Sequence, residues 1–205
     1  MKNILCFGDS NTWGHDPATC LRYPWHVRWT GVLQNKLGSN FRVIEEGLPG
    51  RNSGFDEPGR DFRNAARYLP MLLESHRPLD LVVIMLGTND LKSQFNLTPS
   101  DISQSVKRLC KMVLNSEFVE NANAQILLIA PTHVADMPEE VMGFIGARDK
   151  SLQFSAEYKR VADELGILYM DASEIIETSD ADGFHWTAHQ HQDFAVTLSN
   201  KIVSS

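Results

Sequence analysis

The chain has 205 residues, 42% hydrophobic and 22% charged, a balance that suits one soluble globular domain with a proper core. Its net charge of −7 and its lack of any lysine or arginine run argue against nucleic acid and anionic membrane surfaces as partners. No run approaches the ~18 apolar residues of a membrane span, and the apolar stretch within Met1–Phe7 is too short for a signal segment, so a cytoplasmic protein is expected.

In chain order, the apolar run Ile4–Phe7 reads as a first strand. After a long loop, a helix is expected over Arg28–Leu37, stopped by Gly38. Phe41–Glu46 mixes apolar and polar residues, as an edge strand does. Phe62–Ser75 reads as a helix, with Pro78 closing its exit. Leu81–Leu86 is apolar throughout and fits a strand buried on both faces. Thr98 and Pro99 open a helix that ends before Asn121. Gln125–Ala130 is a further buried strand, Lys150–Leu165 a helix ended by Gly166, and Ile167–Met170 a short fifth strand. Thr187–Val203 closes the chain as a helix, with Thr187 and Gln190 in capping-box spacing.

Strands alternating with helices imply a parallel sheet covered on both faces, a three-layer α/β/α sandwich. The expected strand order is 2-1-3-4-5, because strand two has the edge pattern. No repeat or linker interrupts the chain, so residues 1–205 are read as one domain. Cys6, Cys20 and Cys110 cannot all pair and lack metal-site spacing; Cys6 and Cys110 are expected as buried thiols.

In such sheets, ligands bind beyond the carboxyl ends of the strands where the order reverses. The loop after strand one carries Gly8-Asp9-Ser10-Asn11, the next Gly47-Leu48-Pro49-Gly50, and the third Gly87-Thr88-Asn89-Asp90. Asp182-Gly183-Phe184-His185 lies before the last helix and must reach the same edge for chemistry to occur. Ser10 needs a base to become a nucleophile, and His185 with a nearby carboxylate is the suitable one. Asp182 would fix the tautomer of His185 and stabilise its imidazolium. The backbone N–H groups of Ser10 and Gly50 and the side-chain amide of Asn89 are candidate oxyanion donors. Asp9 and Asp90 are read as turn residues.

These four blocks, in order from Phe7 to His189, resemble the GDSL or SGNH hydrolases. Gly8-Asp9-Ser10-Asn11-Thr12-Trp13-Gly14 is similar to the bacterial arylesterase/acyltransferase branch. The resemblance implies a flavodoxin-like sandwich, ester hydrolysis through an acyl-serine, and a homo-oligomer. It assigns Ser10 as nucleophile, Gly50 and Asn89 to the oxyanion hole, and Asp182 and His185 to the triad. Pro49 departs from the small polar residue common there. The substrate is expected to be a small aryl or acetyl ester, with acyl transfer to alcohol or peroxide as a further capacity. No cofactor or metal is called for.

Two rival functions stand beside this reading. One is a carbohydrate acetyl esterase. The other is a non-catalytic flavodoxin-like binding protein, against which stands the lack of a Gly-x-Gly-x-x-Gly or Walker loop. Trp13 and Trp186, each near a candidate catalytic residue, are read equally as core packing or as walls of an acyl pocket. His185 and His189 have i, i+4 spacing, but Thr187 starts the helix, so they do not share a helical face. His15, His26, His76 and His133 are assigned no chemistry. Residues 134–148 contain Met137, Val141, Met142, Phe144 and Ile145, and a lid, a subunit interface or intrachain packing would each cover them. Arg22, Trp25 and Trp29 leave the same choice open.

Overall fold

The computed structural model describes residues 1–116, 124–136 and 143–204. Five parallel strands form one sheet: β1 (Lys2–Gly8), β2 (Phe41–Gly47), β3 (Leu81–Met85), β4 (Gln125–Ala130) and β5 (Leu168–Asp171), in the order β2-β1-β3-β4-β5. The expected order therefore holds, and β1 lies between β2 and β3.

Successive side chains on a strand point to opposite faces, and this divides the core in two. Leu5, Phe7, Val82, Ile84, Ile126 and Leu128 enter one apolar cluster. Its other wall comes from α3 (Ala65–His76), α4 (Pro99–Leu114) and α6 (Phe154–Leu165). Ile4, Cys6, Val83, Met85, Leu127 and Ile129 enter the other, against α2 (Trp29–Leu37) and α7 (Ala188–Ser204). Both faces are covered, so all five residues of β3 are buried and no alternation is visible in its sequence. Each such side chain is worth about 1.5–3 kcal/mol of burial. On β2 only Ile44 is buried, and Glu45 instead receives Arg28 Nε (3.0 Å) and Nη2 (2.7 Å) in a bidentate pair.

Caps fix the helix starts. The Thr98 hydroxyl accepts from the backbone N–H of Asp101, whose carboxylate accepts from the backbone N–H of Thr98. At α7, Thr187 N–H donates to Gln190 Oε1 (2.7 Å), and Gln190 N–H donates back to the Thr187 hydroxyl. The third helix starts at Ala65 and not at Phe62. Phe62 has φ 69°, and the Asn64 carboxamide accepts from Ala66 N–H as its cap.

A single helix over Lys150–Leu165 is not observed; α5 (Ala147–Ser151) and α6 are separate. The Ser151 hydroxyl donates to Arg148 O (2.7 Å) and accepts from Val134 N–H (2.9 Å). A distant segment thus recruits the serine, which otherwise competes only weakly with helix hydrogen bonding. Of the apolar residues in 134–148, Met137, Val141 and Met142 lie outside the described residues. Phe144 packs on Phe184 at a centroid distance of 4.5 Å, while Ile145 is exposed. Among the described residues no helix is long and apolar enough to cross a membrane.

Candidate active site

The carboxyl ends of the first three strands are level: Gly8 is in register with Gly47 on β2 and with Met85 on β3. Beyond Gly8 the chain turns at once into a short helix, α1 (Ser10–Trp13), closed by Gly14 at φ 89°. Asp9 caps it, its carboxylate accepting from Asn11 N–H at 3.0 Å. Ser10 is thereby the first helical residue, at the rim of the sheet.

The segment before α7 reaches the same rim. Asp182 Oδ1 accepts from the backbone N–H groups of Phe184 (3.0 Å) and His185 (2.9 Å), folding the four residues into a tight loop. Within it, His185 Nδ1 lies 2.5 Å from Asp182 Oδ2, and His185 Nε2 lies 2.8 Å from Ser10 Oγ. Burial by itself would raise the pKa of Asp182, but the hydrogen bonds from the His185 ring and the two backbone N–H groups outweigh it and hold it near 2. Asn11 adds a second tie, its amide donating to Phe184 O at 3.0 Å. Two loops from opposite ends of the sequence are thus fastened together.

The loops after β2 and β3 flank this pair. Gly50 has φ 81°, a region that favours glycine, and a Cβ there would come within 2.5 Å of the Arg60 guanidinium. Arg51 spans two strand ends, donating to Gly8 O (2.9 Å) and to Glu46 O, with its guanidinium over the Phe7 ring. Gly87 has φ 132°, and a Cβ would collide with the Tyr158 hydroxyl, which donates to Leu86 O. Asn89 follows in a 3₁₀ turn and is buried, and its side-chain amide has no hydrogen-bond partner among the described residues.

Asp90 does more than shape its own turn. It is fully buried and accepts from Ser53 N–H at 3.0 Å and from the Ser53 hydroxyl, tying the Gly50 loop to the Asn89 loop. Burial pushes its carboxyl up to about 7, against the Ser53 bonds that lower it. Asp9, also fully buried, is pushed up to about 6 by burial, against the Asn11 N–H and the charges of His185 and Arg51.

Of the residues singled out in the sequence, Ser10, Asp182 and His185 are in direct contact, and Gly50 and Asn89 occupy the adjoining loops. Trp186 does not wall a pocket at this rim: it is fully buried in the α7-side core against Phe194 and His191, its indole N–H donating to the Thr132 hydroxyl. Trp13 is partly exposed, with the Arg22 guanidinium 5.1 Å from its ring centre. Trp29 belongs to the core. His191 is buried and accepts from Trp29 N–H, and His189 pairs with Asp193 on the surface, so neither joins His185.

His15, Arg51 and Ser53 escaped sequence reasoning, and Asn11, inside a singled-out block, was given no role of its own. Arg51 and Ser53 follow Gly50 and His15 follows Gly14, and that proximity to singled-out blocks was the available signal. His15 is the unexpected one: its ring centroid is 4.1 Å from that of His185, tilted by 39°. Ligand atoms of His15, Asp182 and His185 all lie within 4.8 Å of one another.

Residues 6–192 match the GDSL-like lipase/acylhydrolase family. No curated protein matches the chain. Among solved structures, an aryl esterase from M. smegmatis is similar at 40% identity and TM-score 0.94, over 100% of this chain and 99% of that one. A carbohydrate acetylesterase from Sinorhizobium meliloti is similar at 38% identity and TM-score 0.95, over 100% and 99%. A carbohydrate acetylesterase family member from the same organism follows at 34% identity and TM-score 0.94, over 100% and 98%.

Proposed function

The chain belongs to the GDSL-like lipase/acylhydrolase family, and from that premise we propose that it is a serine esterase of small aryl or acetyl esters, working through an acyl-Ser10 intermediate. The observation that carries this reading is the unbroken chain of contacts from Ser10 Oγ through the His185 ring to Asp182.

His185 Nε2 accepts the proton of Ser10 as Oγ attacks the ester carbonyl carbon. Asp182, ionised across the whole neutral range, keeps the other ring proton on Nδ1 and offsets the imidazolium charge. The backbone N–H groups of Ser10 and Gly50 and the amide of Asn89 receive the oxyanion. An Asn89 amide without a hydrogen-bond partner among the described residues suits that role, because none of their bonds has to break. Collapse of the tetrahedral adduct releases the alcohol, which takes the proton back from His185. Water, activated by the same base, then cleaves the acyl-enzyme. An alcohol or peroxide that competes with water at this step would be acylated instead.

A second reading, carbohydrate acetyl esterase, is favoured by the names of two of the similar structures. Relative kcat/KM on aryl acetates and on acetylated sugars separates the two. We also place the enzyme in the cytoplasm as one domain and a homo-oligomer; the buried thiols of Cys6 and Cys110 fit a reducing compartment.

Labelling with an organophosphonate, followed by mapping of the modified peptide, tests nucleophile and reaction class together. The label is expected on Ser10, and Ser10→Ala is expected to lose both label and turnover with its fold intact. Substantial esterase activity in Ser10→Ala would remove Ser10 from its role.

A further inference from the structure

His15 reaches the rim from the loop that follows α1, and among the described residues neither of its ring nitrogens has a hydrogen-bond partner. It faces His185 ring to ring, and a ligand atom of Asp182 lies within 4.8 Å of one from each ring. We propose that His15, Asp182 and His185 form a binding site for a divalent transition-metal ion of the zinc type, and that the bound ion reversibly switches the esterase off.

The donor set decides the class of ion. Two imidazoles and one carboxylate suit Zn²⁺, Co²⁺, Ni²⁺ or Cu²⁺, whereas Mg²⁺ and Ca²⁺ require oxygen ligands. Three ligand atoms within 4.8 Å of one another need only side-chain adjustment to share an ion. Among the described residues the other histidine–carboxylate pairs, His76 with Glu46 and His189 with Asp193, offer two ligands each. Chelation by three groups from two loops therefore favours the rim.

Exclusion of catalysis follows from the atoms involved. His185 has two ring nitrogens: Nδ1 is engaged with Asp182 and Nε2 with Ser10. A metal bond needs a lone pair on one of them. If it takes Nε2, the ion occupies the lone pair that accepts the serine proton. If it takes Nδ1, the ring loses the proton that Asp182 holds in place. Either way the base is gone until the ion leaves. The switching half rests on the esterase reading above; the binding half does not.

The experiment is a Co²⁺ titration of the full-length protein, followed by absorption and reversed with Zn²⁺, in parallel with Zn²⁺ inhibition of aryl acetate hydrolysis. One Co²⁺ per chain is expected, with the intense visible bands of a low-coordinate site. His15→Gln is expected to weaken binding by at least about tenfold. His15→Phe keeps a stacking ring without a ligand atom and should do the same, which separates ligation from packing. Inhibition, scaled to each variant's own metal-free rate, should weaken by the same factor, and a chelator should restore the wild-type rate. Failure of Co²⁺ to bind, or equal binding and inhibition with and without His15, would overturn the proposal. Ser10→Ala should still bind Co²⁺, so failure of the serine reading and failure of the metal reading give different results.

Discussion

Asp182 resists the effect of its own burial because three donors converge on it: the ring of His185 and the backbone N–H groups of Phe184 and His185. Its folded pKa, near 2, lies below the ordinary 3.8. The resulting stabilisation is complete above 3.8 and disappears as the pH falls through about 2. Asp182→Asn should therefore lack that acid-sensitive increment in denaturant titrations at low pH. It should also lower kcat by up to ~10⁴-fold at neutral pH, through the wrong tautomer of His185; a rate close to wild type would show that tautomer control is not Asp182's task. Asn89 makes the complementary case. Its amide has no hydrogen-bond partner among the described residues, so in the proposed mechanism it contributes only when negative charge develops on the substrate. Asn89→Ala should cost roughly 10²–10³-fold in kcat with KM little changed, and a loss confined to KM would return the residue to turn duty.

Between elements, the Asp90–Ser53 contact ties the Gly50 loop to the Asn89 loop, the two proposed to carry oxyanion donors. The Asp90 carboxyl, raised from 3.8 to about 7 by burial, favours its protonated form in the fold. That contribution is full below 3.8 and is lost as the pH rises through about 7, so the wild type should lose stability across this interval, by on the order of a few kcal/mol. Asp90→Asn should flatten the dependence, as read from urea midpoints on either side of neutrality; an unchanged slope would mean another group titrates. Sequence made most elements legible because their causes are local. Uninterrupted apolar runs mark β3 and β4, and the Thr98 and Thr187 boxes mark two helix starts. What stayed hidden has distant causes. The Ser151 hydroxyl at the break accepts from Val134 N–H, and the ring of His15 meets one far along the chain. Trp186 was ambiguous because adjacent residues point in opposite directions there: His185 turns to the rim and Trp186 to the core.

Taken as a whole molecule, the sheet carries the proposed site at the carboxyl ends of its strands and leaves apolar side chains elsewhere on the surface. Ile145 is 61% exposed and Leu152 47%, close to one another in sequence around α5. If copies of the chain associate there, Ile145→Asp with Leu152→Asp should reduce the mass measured by light scattering, and an unaltered mass would send the search for an interface to another face. One more consequence belongs to synthesis. The Ser10 and His185 side chains meet across 175 residues of sequence, and β1, the first strand made, is flanked by two that come later. On the proposed mechanism, a growing polypeptide on the ribosome therefore acquires its chemistry only once the His185 segment has emerged and docked against Ser10.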